Sequence, residues 1–122
     1  MTSSFRIGLM AAAFALASQS AQAHALLESA SPPVGGSVAN SPSQIRLTFS
    51  EDVVPQFSGA QLAAEAGAAI PLGRPSVDPA DRKTLVVPIG RELAAGRYKV
   101  SWRAVSVDTH RTEGSFSFTV GR

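Results

Sequence analysis

The chain has 122 residues, with 11 Lys and Arg, 9 Asp and Glu, and 2 His, which gives a formal net charge of +2. Its length fits one domain, and its apolar content of 44% fits a folded protein rather than a disordered one. The lack of cysteine excludes disulfides, zinc–thiolate sites and cysteine nucleophiles, and the balanced charge gives no reason to expect a nucleic-acid partner.

The first 23 residues have the features of a secretory signal peptide. Arg6 precedes an uncharged apolar stretch over residues 7–17, and Ala21 and Ala23 provide the small residues of a cleavage site. The stretch is shorter than the roughly 20 residues that a membrane span needs. We therefore expect residues 1–23 to be removed, and residues 24–122 to form one exported domain that is not embedded in a membrane. The bacterial character of the signal favours the periplasm.

The mature sequence has the pattern of an all-β protein. Apolar and polar residues alternate over residues 44–50, 97–104 and 115–120, as in strands with one buried face. Weaker strands are predicted over residues 25–29, 57–64, 68–72 and 84–89. We reject a helix over residues 61–69 because Gly67 interrupts it and Pro71 follows. The pattern predicts a Greek-key β-barrel or sandwich of about seven strands, Ig-like or cupredoxin-like.

Tyr98 opens one of these strands in a pattern that is typical of a tyrosine corner. Leu93 and Gly96 precede it, as in Greek-key sandwiches whose tyrosine hydroxyl bonds to upstream backbone. We therefore assign Tyr98 a structural role and not a catalytic one.

The positions of the two histidines are the main functional signal. Signal cleavage would make His24 the first residue, so that its α-amine and imidazole Nδ1 could chelate one metal ion. His110 would add a third nitrogen. Asp108 lies two residues before His110, on the same side of an extended backbone, and would act as an oxygen ligand or as a charge partner.

Such a ligand set favours Cu(II), with Ni(II) as the second choice. Cu(I) prefers Cys and Met, but the chain has no Cys, and Met1 and Met10 would leave with the signal. The sequence therefore predicts one Cu(II) per mature chain and no Cu(I) methionine site.

Other interpretations of these residues remain open on spacing alone. Each histidine by itself also fits an ordinary surface residue. Residues 106–114 form either a long loop or an extension of the two flanking strands, in which case positions 106, 108 and 110 face inward. Glu51, which follows a strong strand, either approaches the metal or faces solvent. The sequence has no nucleophile elbow, phosphate-binding loop or H-E-x-x-H motif.

Several segments, taken together with an N-terminal histidine, are typical of one known family. They are Ser31-Pro32-Pro33, Leu47-Thr48-Phe49-Ser50-Glu51, Gln56-Phe57-Ser58-Gly59-Ala60, the run from Gly96 to Ser106, Asp108-Thr109-His110, and Gly114-Ser115-Phe116-Ser117-Phe118. With these segments, the sequence from His24 to Arg122 resembles the periplasmic copper resistance protein CopC family.

The resemblance implies a small β-barrel that binds Cu(II) in the periplasm and carries or buffers it. It implies Cu(II) ligands at His24, Asp108 and His110, with a glutamate near the site that matches Glu51. It also implies an inner-membrane partner that transports copper. Some members have a Met-rich segment for Cu(I), but residues 65–79 contain neither Met nor His.

We therefore expect a periplasmic copper carrier or buffer without catalytic turnover. The alternatives are a small copper monooxygenase with a histidine brace and a metal-free Ig-like interaction domain.

Overall fold

The computed structural model describes residues 25–121, which form two β-sheets packed face to face. In chain order the elements are β1 (Leu27–Ser31), β2 (Ser37–Val38), β3 (Gln44–Phe49), a 3-10 turn (Pro55–Phe57), β4 (Gly59–Ala64), β5 (Ala69–Ile70), β6 (Ser76–Asp78), β7 (Asp81–Pro88), β8 (Gly96–Val105) and β9 (Arg111–Val120). One sheet has the order β1-β3-β7-β6 and the other has the order β2-β9-β8-β4-β5. The predicted all-β sandwich is confirmed.

The core follows from the alternation of the strands. Ile45, Leu47 and Phe49 of β3 are all 0% exposed, whereas the residues between them are half-buried. The edge of the Trp102 ring packs against Phe49, with ring centroids 5.2 Å apart. Burial of the apolar face of each sheet is the main source of stability in such a sandwich.

Two short strands were not predicted, and with them the two sheets contain nine strands in the described part of the chain. Strand β2 has two residues and β6 has three, and segments this short contain too few positions to show alternation. The first strand also lies at Leu27–Ser31 and not over residues 25–29. Strand β4 begins at Gly59 and not at the predicted residue 57, because a 3-10 turn over Pro55–Phe57 occupies that part of the chain. Among the described residues, no helix is long and apolar enough to span a membrane.

The paired part of the β8–β9 hairpin extends closer to the turn than a nine-residue loop over residues 106–114 would allow. The two strands pair without interruption from Gly96↔Val120 to Val105↔Arg111, so the connection is only residues 106–110. The strand-extension interpretation is therefore right for β9, which begins at Arg111, but not for β8, which ends at Val105. Gly114 interrupts the apolar pattern for a packing reason, because a Cβ at this position would lie 2.6 Å from the Trp102 ring.

The tyrosine corner is also confirmed. The buried Tyr98 hydroxyl donates a 2.6 Å hydrogen bond to the Ala94 carbonyl, four residues upstream. The Tyr98 ring stacks on Phe118 of β9, with ring centroids 5.7 Å apart. The corner fixes the approach of the chain to β8 from the other sheet.

We expect Tyr98→Phe to lower the free energy of unfolding by about 0.5–1.5 kcal/mol, the net value of one intramolecular hydrogen bond. The substitution keeps the ring that stacks on Phe118, and Ala94 is exposed enough for water to solvate its carbonyl. Equilibrium urea denaturation measures the change. A midpoint equal to that of the unsubstituted protein would show that the corner does not stabilise the fold.

An ion pair joins β3 to β6 across the intervening β7. The Arg46 guanidinium donates a 2.6 Å hydrogen bond to Asp78 Oδ2, and the Ala80 N–H bonds to the other oxygen at 2.9 Å. The Arg46 hydrogen bond, followed by the Ala80 bond, lowers the pKa of Asp78 below its ordinary value. The folded protein therefore binds the Asp78 proton less tightly than the unfolded chain does.

We expect Asp78→Asn to be less stable than the unsubstituted protein only when the carboxylate is ionised. The difference should be full above the usual aspartate pKa of about 3.9. It should close as the pH falls through the lower pKa of the folded state. Urea denaturation at a series of pH values measures this convergence. A difference that does not depend on pH would indicate lost packing and not a lost charge.

Candidate metal centre

The first described residues are fixed at one end of the sandwich. Ala25 is 0% exposed, and its carbonyl accepts a 2.7 Å hydrogen bond from Thr112 Oγ1 near the start of β9. Leu26 makes two bonds of 2.9 Å with Ser50: its N–H donates to Ser50 Oγ, and its carbonyl accepts from the Ser50 N–H. These bonds hold the beginning of the domain beside the ends of β3 and β9.

The turn over residues 106–110 lies at the same end. The Ser106 N–H donates to the His110 carbonyl at 2.9 Å, and the Thr109 N–H donates to the Ser106 carbonyl at 2.8 Å. Thr109 has a φ of 74°, a left-handed conformation that is uncommon for a β-branched residue. This tight geometry reverses the chain and brings the Asp108 and His110 side chains together, with 3.2 Å between Asp108 Oδ1 and His110 Nδ1.

The turn also ends the alternation of β8. Ser106 is 1% exposed and continues the inward face of the strand, as predicted. Asp108 and His110 do not face inward, because the left-handed residue between them takes the backbone out of the extended conformation. Their side chains are 43% and 48% exposed, respectively, which leaves them accessible to a dissolved ion.

Hydrogen bonds hold the Asp108 carboxylate in its ionised form. Ser106 Oγ donates a short hydrogen bond to Asp108 Oδ1, and the His110 ring and N–H contact the same oxygen. The Ser106 bond is the largest cause of a lowered Asp108 pKa. Burial, the next largest effect, raises the pKa, and the His110 contacts lower it further. Sequence analysis did not identify Ser106 as a partner of Asp108; its inward parity was the only available signal.

Glu51 lies at this end of the sandwich because both of its neighbours in the chain form hydrogen bonds there. Ser50 is bonded to Leu26, and the Asp52 carbonyl accepts a 3.2 Å hydrogen bond from the Val107 N–H. Val53 and Ser106 also form an antiparallel bridge. The Glu51 carboxylate is half-buried but makes no hydrogen bond or ion pair with another residue of the described part of the chain.

His24 lies outside the described residues, as does the predicted signal segment. Within residues 25–121, no group of three or more His, Cys, Asp or Glu side chains is arranged to hold a metal ion. The structure thus brings Asp108 and His110 together and places Glu51 near them. The described residue that adjoins His24 in sequence, Ala25, lies at the same end.

Comparisons with known proteins agree on one family. The CopC domain family matches residues 27–121. Copper resistance protein C of Pseudomonas syringae pv. tomato is 46% identical over 114 residues, which cover 89% of this chain and 90% of that protein. Copper resistance protein C of Escherichia coli is 39% identical over 107 residues, or 83% of this chain and 84% of that one.

Solved structures show the same fold. PcoC, a methionine-rich copper resistance protein from Escherichia coli, superimposes with a TM-score of 0.72 at 37% identity, over 80% of this chain and 99% of that one. CopC from Methylosinus trichosporium OB3b gives a TM-score of 0.73 at 33% identity, over 80% of this chain and 93% of that one. These relatives are named for copper resistance and not for a reaction. This chain belongs to the CopC family of copper resistance proteins.

Proposed function

We propose that this protein binds Cu(II) in the periplasm and carries or buffers it. The observation that supports this most directly is the set of hydrogen bonds that holds Ala25, the 106–110 turn and the residues around Glu51 at one end of the sandwich. Ala25, which lies at this end, directly follows His24 in the sequence. Removal of residues 1–23 would give that residue, His24, a free amine.

The proposed ligands are the α-amine and Nδ1 of His24 and an imidazole nitrogen of His110, with Asp108 as an oxygen ligand or charge partner. Nitrogen and oxygen donors of this kind suit Cu(II), and one ion would bind per mature chain. Residues 25–121 contain no Met or Cys, so the described part of the chain has no soft ligands for Cu(I). Because the amine and both imidazoles must be deprotonated to coordinate, Cu(II) affinity should fall in acid.

The contact between His110 and Asp108 supports one imidazole nitrogen of His110 as the proposed copper ligand. When His110 Nδ1–H donates to Asp108 Oδ1, the lone pair of the neutral ring is on Nε2, so Nε2 is the proposed ligand. Asp108 would then orient the ring and increase its basicity, as carboxylates do behind many metal-bound histidines. Ser106 keeps Asp108 charged for this role.

Glu51 has a more distant role in this proposal. Its position beside the turn adds negative charge near the cation, but the structure shows no contact that orders its carboxylate toward His110 or Asp108. In the periplasm, such a carrier would exchange copper with an inner-membrane copper transport partner. The copper resistance proteins among its relatives support this cellular role.

We expect His110→Ala to weaken Cu(II) binding by more than the roughly 10–100-fold that the loss of an outer-sphere partner costs, because a ligand itself is lost. Asp108→Asn should weaken binding by about 10–100-fold, since Asn keeps the shape but not the charge. Competition titration with a chelator of known affinity measures both changes.

Asp52→Asn is the matched control for Asp108→Asn. Asp52 bonds to the same turn through its backbone carbonyl, which the substitution leaves in place. If Asp52→Asn weakened Cu(II) binding as much as Asp108→Asn did, general electrostatic attraction and not a local site would be the cause. The Cu(II) affinity of Glu51→Gln, measured in parallel, tests the role of Glu51. A large loss of affinity would indicate a ligand, and a small loss would indicate a distant charge.

We expect one extra glycine before His24 in the mature protein to weaken Cu(II) binding strongly, because the α-amine becomes an amide and the chelate ring is lost. Electron paramagnetic resonance of the bound Cu(II) should report fewer nitrogen donors than in the natural form. N-terminal sequencing of the exported protein should begin at His24. An exported chain with a different first residue, or an extended protein with unchanged affinity, would contradict the proposed site.

A further inference from the structure

A groove of about 980 Å³ lies between the two sheets, on the side where β4 is the last long strand. One wall consists of residues 59–63 of β4, and the opposite wall consists of residues 72–76, which lead into β6. None of the proposed copper ligands lines this groove. Its ligand is therefore a separate question from copper binding.

The groove exposes backbone groups of β4 that have no partner strand. The Glu65 N–H bonds to the Arg97 carbonyl at 2.9 Å, so the odd-numbered residues of β4 bond to β8. The Ala64 N–H bonds in the other direction, to the Ala68 carbonyl at 2.8 Å. By this alternation, the N–H and C=O groups of Ala60 point toward the groove.

Strand β5 ends before it reaches Ala60. Its last residue, Ile70, pairs with Leu62. Pro71 has no N–H to donate, and Leu72 forms a bridge with Ile89 of the other sheet. In the part of the chain that the structure describes, Ala60 thus has no partner on its groove side. An unpaired strand edge of this kind is a template for another extended segment.

Two arginines give the groove a positive charge. Arg74 and Arg103 line it, and no carboxylate does. The Arg103 guanidinium lies over Gly59, 3.6–3.7 Å from the point where a Cβ would stand. The arginines that form ion pairs among the described residues are Arg46, with Asp78, and Arg97, with Glu65.

Glu113 is the acidic residue nearest to Arg103 in the sheet register. It lies directly across from Arg103 on β9, but the two side chains form no ion pair. Both groove arginines therefore remain available to carboxylates from outside the described chain.

We propose that this groove binds an extended, acidic peptide segment of a protein partner, which adds to the edge of β4. Ala60 would supply one backbone donor and one acceptor, and Arg74 and Arg103 would bind carboxylates of alternate side chains through charge-assisted hydrogen bonds. Charge complementarity selects this occupant over a neutral or basic segment. The inference does not depend on copper.

The experiment uses a short, capped, fluorescently labelled peptide of alternating valine and glutamate, mixed with the purified protein and a metal chelator. Two matched peptides replace glutamate with glutamine or lysine. Fluorescence anisotropy should show saturable binding of the glutamate peptide, weaker binding of the glutamine peptide and none of the lysine peptide. The affinity should fall with added salt, because screening weakens exposed charge pairs.

Arg103→Gln and Arg74→Gln should each weaken binding of the glutamate peptide by up to about fivefold, the scale of an exposed charge pair. Lys99→Gln is the matched control, because Lys99 is an exposed cation on the same face of β8 but does not line the groove. Ala60→Pro should weaken binding by removing the edge N–H, which an edge strand tolerates. If this variant does not fold, an N-methylated glutamate peptide tests the same backbone bond with the unsubstituted protein.

Four results would overturn the proposal. The first is equal binding of the glutamate and glutamine peptides, and the second is an equal effect of Lys99→Gln and Arg103→Gln. The third is full displacement of the peptide by free glutamate at the same concentration, which would indicate an anion site only. The fourth is a dimer in analytical ultracentrifugation that Arg103→Gln dissociates, which would make a second copy of the chain the occupant.

Discussion

The unbroken pairing of β8 with β9 determines where the proposed copper ligands Asp108 and His110 lie. The residue pairs follow one another without a gap from Gly96↔Val120 to Val105↔Arg111. The chain can therefore reverse its direction only over residues 106–110. A slip of one residue would turn Phe116 and Phe118 out of the core, and their burial therefore holds the register. The same register sets the turn that brings Asp108 to His110, so packing in the core decides the geometry at the surface.

Ser106 connects the core to the proposed copper site. It continues the inward face of β8 one residue past the end of the strand, and a buried hydroxyl there needs a hydrogen-bond partner. Asp108 is that partner, and the bond keeps its carboxylate ionised where the chain emerges into solvent. A structural requirement of the sheet and an electrostatic requirement of a cation site are therefore met by one contact.

The two proposed binding regions are joined by a shallow hollow beside the turn. Arg103 lines both this hollow and the β4 groove, and Thr109, which lies between Asp108 and His110, lines the hollow as well. A segment bound along β4 would then lie beside the turn that carries the proposed copper ligands. This proximity gives a physical route for contact between a docked partner and the metal, although each region is defined by different residues.

The sequence by itself determined the features that depend on local pattern. Alternation over residues 44–49 identified β3 with its buried face, and the spacing before Tyr98 identified the corner that its hydroxyl completes. The two histidines and Asp108 indicated a copper site, and all of its proposed ligands remain a prediction.

Tertiary structure alone decided the rest, because it depends on partners distant in sequence. Strands β2 and β6 are too short to have a pattern and exist only through pairing with β9 and β7. The sequence left Gly114 in a possible loop, whereas the structure places it in β9, where the Trp102 ring packs over it. The outward position of Asp108 and His110 required the left-handed Thr109, and the open edge at Ala60 required the departure of the chain to the other sheet after β5. Long-range register and packing determine these features, and neither is encoded in a local window of residues.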